Sequence, residues 1–125
     1  MKYIIEGDPV ALARPRMSGR AVYDSQKQLK LVAGLALRSQ HGDKPFYEGP
    51  LHMDVQFYLK ISQRRKDSLE NQPHRSKPDL SNLLKFLEDI GTGILYHDDM
   101  MISEVVCGKY YSDIPRTEFT IRELK

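Results

Sequence analysis

The segment from residue 51 to residue 61 limits the possible folds more than any other part of the chain. Apolar residues occupy every second position, and most of the positions between them are polar. The apolar set is Leu51, Met53, Val55, Phe57, Leu59 and Ile61. This two-residue period predicts a long strand with one buried face and one wetter face, placed near the centre of a sheet.

Shorter runs on either side of this strand predict the other strands of the sheet. Residues 2–7, 100–111 and 115–124 each combine apolar and β-branched residues between turn signals, which is typical of strands. The last two segments follow each other closely and are expected to form a hairpin. With the strand at 51–61, they predict a mixed sheet of about four strands.

Residues 24–42 predict the first helix, with Asp24 or Ser25 as its N-cap. His41 is expected at the end of this helix as a C-terminal cap or a surface residue rather than a ligand. The candidates for the buried face are Leu29, Val32, Ala33, Ala36 and Leu37. This helix is therefore interpreted as structural.

A second helix is predicted to begin at Asp79, because Pro78 cannot continue a helix towards the N-terminus and Asp is a favoured N-cap. Its apolar stripe comprises Leu80, Leu83, Leu84, Leu87 and Ile90, and its other sides carry Asp79, Asn82, Lys85, Phe86 and Asp89. Gly91 and Gly93 are expected to end the helix and reverse the chain. An extended run at 94–96 would then return the chain to the level of the helix start.

Length and composition fit one α+β domain spanning residues 1–125, with two helices packed on the sheet. The single cysteine, Cys107, allows no disulfide within the chain and favours a reducing compartment. No apolar run approaches a membrane span, and the N-terminus lacks a signal-peptide pattern, so we expect a cytoplasmic protein. The net charge of +2 alone is weak evidence for a nucleic-acid partner.

Three carboxylates are the main candidates for a functional site: Asp79 at the predicted helix start, and Asp98 and Asp99 after the glycine turn. If the return run brings them together, they offer the hard oxygen ligands that Mg²⁺ or Mn²⁺ prefers. Such ions support phosphodiester hydrolysis by activating water and stabilising charge on the phosphoryl group. The alternative is that Asp79 is only an N-cap and that Asp98 and Asp99 are ordinary turn residues.

Two basic loops, residues 11–21 and 62–77, are candidates for contacts with DNA phosphates. Their basic residues are Arg14, Arg16, Arg20, Arg64, Arg65, Lys66, Arg75 and Lys77. Guanidinium groups match phosphate geometry, so these loops suit binding that does not depend on base sequence. Either loop could instead be an ordinary solvated segment.

Taken in order, three motifs make the chain resemble the RusA-type Holliday junction resolvases, endodeoxyribonucleases common in phages and prophages. The first motif is G-x-P followed by R-P-R and a tyrosine, here Gly7, Pro9, Arg14, Pro15, Arg16 and Tyr23. The second is K-P-D-x-D-N-L-x-K, here Lys77, Pro78, Asp79, Ser81, Asn82, Leu83 and Lys85. The third is H-D-D followed by an acid, here His97, Asp98, Asp99 and Glu104. The resemblance covers most of the chain.

The resemblance implies a homodimeric nuclease, dependent on Mg²⁺ or Mn²⁺, that binds four-way DNA junctions and nicks two strands of like polarity symmetrically. Repair, recombination and phage DNA packaging all stay open as the process that it serves. By motif position, it makes Asp79 and Asp99 metal-binding acids needed for catalysis, with Asp98 beside them. It also makes Lys85 a lysine needed for catalysis, although this residue could be an ordinary solvated lysine.

Ser81 departs from the family pattern, which has a second aspartate at this position. A serine adds no negative charge that would hold a divalent cation. Two interpretations follow: either Asp98 or Glu104 completes the site with lower metal affinity, or the protein binds junctions or branched DNA with little cleavage. A small metal-binding domain without a role in DNA is a third, less favoured alternative.

Overall fold

The computed structural model describes residues 1–13, 16–18, 21–23, 25–61 and 69–124, and within these ranges it contains six strands and two helices. In chain order the elements are β1 (Lys2–Glu6), β2 (Arg16–Ser18), β3 (Ala21–Tyr23), α1 (Lys27–His41), β4 (Leu51–Lys60), α2 (Leu80–Gly91), a short 3₁₀ turn (Asp99–Met101), β5 (Ile102–Ser112) and β6 (Arg116–Glu123). Neither helix is long and apolar enough to cross a membrane.

Four of the strands form a mixed sheet in the order β1-β6-β4-β5. As its alternating pattern predicted, β4 lies inside this sheet, antiparallel to β6 and parallel to β5. Buried and partly buried side chains alternate along β4 from Leu51 to Leu59. Together with the two helices, this sheet confirms the predicted α+β fold.

The predicted hairpin of β5 and β6 is wrong, because β4 lies between these two strands. Ser112 at the end of β5 pairs with Lys60, and Arg116 at the start of β6 pairs with Tyr58. The short connection therefore passes the carboxyl end of β4 and spans two strand spacings, roughly 10 Å. A chain of four residues reaches this distance, since each residue extends up to about 3.6 Å.

The core lies between the sheet and the two helices. Its largest fully buried side chains are Tyr3, Phe57, Tyr96 and Phe119. Phe86, which the apolar spacing placed outside the stripe of α2, is also buried. This prediction was wrong because α2 packs against both α1 and the sheet, so its buried face is wider than one stripe.

The buried face of α1 differs from the predicted one. Its buried residues are Ala33, Gly34, Leu37 and His41. Leu29 and Val32, both predicted to be buried, are 50% and 65% exposed, and Ala36 is only partly buried. Apolar residues occur on nearly all sides of this helix, so their spacing could not select the side that faces the core.

His41 is buried in the core, contrary to the prediction of a cap or surface residue. Its Nε2 lies 3.0 Å from the carbonyl of Pro45, which can only accept, so Nε2 carries a proton. In the neutral ring Nδ1 then accepts from the Tyr3 hydroxyl at 2.8 Å, and Tyr3 is 2.9 Å from the Tyr47 hydroxyl. Burial, followed by the hydrogen bond with Tyr47, raises the pKa of Tyr3. This network ties the end of α1 to β1.

Gln26 is the N-cap of α1, so the prediction of Ser25 was wrong, while Asp24 lies outside the described residues. The Gln26 side chain does not cap the helix. Its amide instead accepts from the N–H of Ala13 at 2.9 Å and donates to the carbonyl of Ala11 at 2.8 Å. The start of α1 is therefore tied to the chain that follows β1.

The segment predicted as a loop at 11–21 contains strand β2, which pairs antiparallel with β3. Arg16 lies opposite Tyr23, and Ser18 lies opposite Ala21. Strands of three residues are too short to give a periodic pattern, and for this reason the sequence did not indicate them.

A glutamine side chain covers part of the outer edge of β1. The Gln40 amide accepts from the N–H of Ile4 at 2.8 Å and donates to the carbonyl of the same residue at 2.6 Å. Both backbone groups of Ile4 that point away from the sheet are therefore satisfied within the chain.

A charged cluster links β1 and β6. Glu118, which is buried, forms ion pairs with Lys2 and Arg116. The Arg116 guanidinium also lies over the ring of Tyr58, 3.9 Å from its centroid. The hydrogen bond from Lys2 is the main cause that lowers the pKa of Glu118, and Arg116 adds to it against the effect of burial.

Candidate active site

The segment that leads into α2 runs along the outer edge of β5. The N–H of Asn71 donates to the carbonyl of Tyr111 at 2.9 Å, and the N–H of Tyr111 donates to the carbonyl of Gln72 at 3.0 Å. The N–H of His74 donates to the carbonyl of Lys109 at 2.9 Å. These backbone bonds fix the approach to the helix against the sheet.

The side chain of Lys109 fixes the last residues before the helix. Its ammonium donates to the carbonyl of Ser76 and, at 2.8 Å, to the carbonyl of Pro78. Burial, followed by the positive charge of Lys109, lowers the pKa of His74. Lys109 therefore holds the backbone directly before Asp79.

Asp79 occupies the N-cap position of α2, as predicted. Its backbone is extended, with φ −67° and ψ 136°, and its carbonyl accepts from the N–H of Leu83 at 3.1 Å. The carboxylate makes no capping hydrogen bond, and the residue is exposed. The cap interpretation therefore holds for the backbone of Asp79 but not for its side chain.

The chain after α2 forms a compact turn instead of the predicted extended return. Gly93 has a positive φ of 83°, and its N–H donates to the carbonyl of Tyr96 at 2.8 Å. The N–H of Leu95 donates to the carbonyl of Gly91 at 2.9 Å. The buried hydroxyl of Tyr96 donates to the carbonyl of Glu88 at 2.7 Å and fastens the turn to the helix. The turn thus does not carry the chain back to the start of α2.

Asp98 and Asp99 follow this turn and lie side by side. Asp98 is the N-cap of the 3₁₀ turn, and its Oδ1 accepts from the N–H of Met100 at 2.9 Å. Partial burial raises the pKa of Asp99, as do the hydrogen bond and negative charge of Asp98 and the negative charge of Asp89. Asp98 therefore has a structural role in the turn, whereas Asp99 lies near the negative charges of Asp98 and Asp89.

Glu88, which lies in none of the three motifs, belongs to the same acidic surroundings as Asp99. Burial and the charge of Asp99 raise the pKa of Glu88, and the charge of Lys85 lowers it. Asp89 forms an ion pair with Lys30 of α1 at 2.8 Å. Glu88 follows Lys85 by three positions, so both lie on one side of the helix, and this spacing could have indicated it.

Asp79 precedes the first turn of α2, whereas Glu88 and Asp89, the acids of α2 that interact with Asp99, lie in its last turn. Nine residues separate Asp79 from Glu88, or about 13 Å along the helix axis. In the described ranges, no three His, Cys, Asp or Glu side chains are grouped so that they could hold a metal ion. One chain therefore does not gather Asp79, Asp98 and Asp99 into the expected cluster, and their role in metal binding stays a prediction.

Glu104, considered as a substitute for the missing aspartate, is engaged elsewhere. Its Oε1 lies 2.9 Å from Nδ1 of His52, its neighbour on β4. Ser81 is exposed in the first turn of α2, and Lys85 and His97 are exposed as well. Lys85 thus presents its ammonium to solvent at the middle of α2.

Three of the eight predicted DNA-binding residues lie in the described ranges, and five lie outside them. Arg75 and Lys77 are exposed in the segment directly before Asp79. Arg16 lies in β2. The other predicted residues, which lie outside the described ranges, are Arg14, Arg20, Arg64, Arg65 and Lys66.

Comparison with known proteins identifies the family of this chain. Residues 6–122 match the sequence pattern of endodeoxyribonuclease RusA, and this range spans the positions of all three motifs. The chain belongs to the RusA endodeoxyribonuclease family. This confirms the resemblance inferred from the motifs.

A relative of similar length occurs in Bacillus subtilis (strain 168). This RusA family chain is 33% identical to the uncharacterized protein YqaN over 137 aligned positions, which cover 99% of the chain and 96% of the relative. The similarity therefore extends over both proteins almost end to end. The name of the relative gives no information about an activity.

Proposed function

We propose that this RusA family member is an endodeoxyribonuclease, dependent on Mg²⁺ or Mn²⁺, that resolves four-way DNA junctions by paired symmetric nicks. The family match over residues 6–122 carries the proposal. A homodimer is part of it, because a junction with two-fold symmetry is matched by two related active sites.

The proposed metal ligands are Asp79, Asp98 and Asp99, and the proposed catalytic residues are Asp79, Asp99 and Lys85. Two observations support them. The carboxylate of Asp79 is exposed and makes no capping hydrogen bond. Burial, followed by the hydrogen bond and negative charge of Asp98, raises the pKa of Asp99, and a bound cation would relieve the repulsion between these two carboxylates. Because one chain does not group three ligands in the described ranges, the proposal requires Asp79 and the acidic pair to approach each other.

The exposed cations near α2 have proposed roles towards the phosphates. The ammonium of Lys85 would stabilise negative charge on the scissile phosphate. Arg75 and Lys77 are exposed directly before Asp79 and would hold a neighbouring phosphate, independent of base sequence. Junction binding should then weaken with salt, with a log–log slope of about −0.9 for each phosphate neutralised.

A second candidate function is junction or branched-DNA binding with a weakened or inactive nuclease site. Ser81 favours it, because it provides no negative charge at the position where the family has a second aspartate. The absence of a group of three acids from the described part of one chain points the same way.

Cleavage of a synthetic four-way junction, compared with a linear duplex, tests the first proposal. We expect paired nicks with Mg²⁺ or Mn²⁺, none with chelator, and loss of nicking in Asp99→Asn. Asp43→Asn removes the same charge from an exposed position after α1 and should nick like the wild type. Tight binding of the junction without nicks in either metal would support the second candidate, and absence of binding would reject both.

Restoring the missing acid separates the two candidates further. Ser81→Asp adds a carboxylate two residues after Asp79, so we expect at least about tenfold tighter Mn²⁺ binding, a gain of about 1.4 kcal/mol. Ser25→Asp adds the same charge near the start of α1 and controls for a general change in charge. If both variants bind Mn²⁺ like the wild type, position 81 does not limit the site.

A further inference from the structure

Tyr96 is fully buried, and both its side chain and its backbone bond to the region where α2 ends. The hydroxyl donates to the carbonyl of Glu88 at 2.7 Å. Glu88 is one of the last four residues of α2, whose carbonyls have no partner within the helix itself. The carbonyl of Tyr96 accepts from the N–H of Gly93 at 2.8 Å. Tyr96 therefore caps the helix with its side chain and closes the turn with its backbone.

Gly91 leaves the space that this hydroxyl occupies. A Cβ at position 91 would lie 2.5 Å from the hydroxyl oxygen of Tyr96, closer than a van der Waals contact allows. The φ of Gly91 is not positive, so its backbone conformation does not require a glycine. Glycine also weakens a helix relative to alanine. The contact with the Tyr96 hydroxyl therefore accounts for a glycine at this position.

The acidic pair, Asp98 and Asp99, follows Tyr96 almost directly. Only His97, which is exposed, separates Tyr96 from Asp98. Burial, followed by the negative charges of Glu88 and Asp99, raises the pKa of Tyr96. The hydroxyl therefore stays protonated as a donor, and Asp99 lies close enough to act on it. The position of the acidic pair relative to α2 depends on how Tyr96 is held.

We propose that Tyr96 is a positioning residue, which holds the acidic pair against the last turn of α2 in the arrangement that binds a divalent cation. The inference rests on the proposed function, in which Asp98 and Asp99 are metal ligands. Tyr96 itself touches neither metal nor DNA, because its side chain is fully buried. Without the hydroxyl bond, the acidic pair would take up more positions relative to α2. The apparent metal affinity would then fall with the fraction of molecules in the binding arrangement.

Tyr96→Phe tests the proposal, because it removes the hydroxyl and keeps the ring that fills the core. The variant should fold, since Thr92 Oγ1 also donates to the Glu88 carbonyl, at 3.0 Å. Tyr3→Phe is the matched control. It removes the hydroxyl of another fully buried tyrosine, on β1 at the opposite edge of the sheet from β5. The Tyr3 hydroxyl is hydrogen-bonded as well, so a general loss of stability would appear in both variants.

Two readouts do not depend on activity. In calorimetry, we expect Tyr96→Phe to bind Mn²⁺ about tenfold more weakly than the wild type. The N–H of Met100, bonded to Oδ1 of Asp98 at 2.9 Å, reports on the order of the acidic pair. Its hydrogen exchange should be about tenfold faster in Tyr96→Phe. Tyr3→Phe should leave both the Mn²⁺ affinity and the exchange at Met100 unchanged.

A second variant disturbs the same contact from the other side. Gly91→Ala keeps the Tyr96 hydroxyl but displaces it, so it should also weaken Mn²⁺ binding, even if Tyr96→Phe fails to fold. Mn²⁺ binding like that of the wild type in both variants would overturn the proposal. Equal weakening in Tyr3→Phe, or a wild type that binds no Mn²⁺, would overturn it as well.

Junction nicking in the same preparations distinguishes this inference from the proposed function. Nicking by Tyr96→Phe should be slower at low Mn²⁺ and recover when Mn²⁺ is raised about tenfold, with unchanged junction binding. A wild type that binds Mn²⁺ without nicking, together with weaker binding in Tyr96→Phe, would support the positioning role and reject the resolvase. Nicking by the wild type, together with unchanged Mn²⁺ binding in Tyr96→Phe and Gly91→Ala, would support the resolvase and reject the positioning role.

Discussion

Lys109 is predicted to fix the backbone that positions Asp79. Lys109→Met keeps the apolar stem of the side chain but removes the ammonium that donates to the carbonyls of Ser76 and Pro78. A hydrogen bond with a charged group contributes about 1.5–3 kcal/mol. Both carbonyls can turn to water when the ammonium is lost, which offsets part of this contribution, so we expect a total cost of about 1–2 kcal/mol.

The loss should be local, because backbone hydrogen bonds still join this segment to β5. The amide of His74, bonded to the carbonyl of Lys109 at 2.9 Å, reports on opening of the segment. A cost of 1–2 kcal/mol corresponds to roughly five- to thirtyfold faster hydrogen exchange at this amide. Exchange in the core strand β4 should change much less.

Hydrogen exchange followed by NMR or mass spectrometry measures this directly. Lys60→Met is the matched control, because it removes the same charge from an exposed lysine at the end of β4. Unchanged exchange at His74 in Lys109→Met, or equal acceleration in both variants, would refute the argument. If Asp79 is catalytic, junction nicking should fall in Lys109→Met and not in Lys60→Met.

Two further predictions concern stability. Glu118→Gln should lower the free energy of unfolding by about 1–2 kcal/mol at neutral pH. Because the pKa of Glu118 is lowered in the folded state, its contribution is present above its ordinary pKa of 4.5 and disappears as the pH falls through the lowered value. Urea unfolding should therefore show the two proteins converging in acid, and a constant difference would contradict the ion pairs. Gly91→Ala should destabilise by about 1–3 kcal/mol despite the better helix propensity of alanine, because the new Cβ would lie 2.5 Å from the hydroxyl of the buried Tyr96. In Gly34→Ala the Cβ meets only the flexible end of Ile94, at 3.3 Å, so thermal unfolding should show little change and equal losses would contradict this account.

The parts of the fold that the sequence predicted well are those with one buried face. β4 alternates between apolar and polar residues, and α2 begins directly after its N-cap Asp79, so both elements were predicted at nearly the right bounds. The buried side of α1 was missed because Leu29 and Val32 are as apolar as the residues that face the core. The pairing of β5 and β6 was missed because closeness along the chain suggested a hairpin, and nothing local shows that β4 lies between them.

For the candidate site, the sequence names candidate residues but does not indicate the distances between them. The motifs identify Asp79, Asp98 and Asp99, but the path of the chain between them depends on a turn held by Tyr96. Periodicity does not indicate whether residues 94–96 are extended or compact. For the same reason the proximity of Glu88 to Asp99 became visible only in the structure.

The glutamine on the edge of β1 affects how these molecules behave at high concentration. Growth of a fibril by strand addition requires a free hydrogen-bonding edge on both sides of each sheet. The amide of Gln40 already occupies the outward backbone groups of Ile4, so a second molecule cannot extend the sheet at this point without displacing it. At the opposite edge, residues 71–74 already bond to Lys109 and Tyr111 of β5, so a second molecule could pair only with the first part of that strand. Growth from such a pair would meet the Gln40 amide at Ile4.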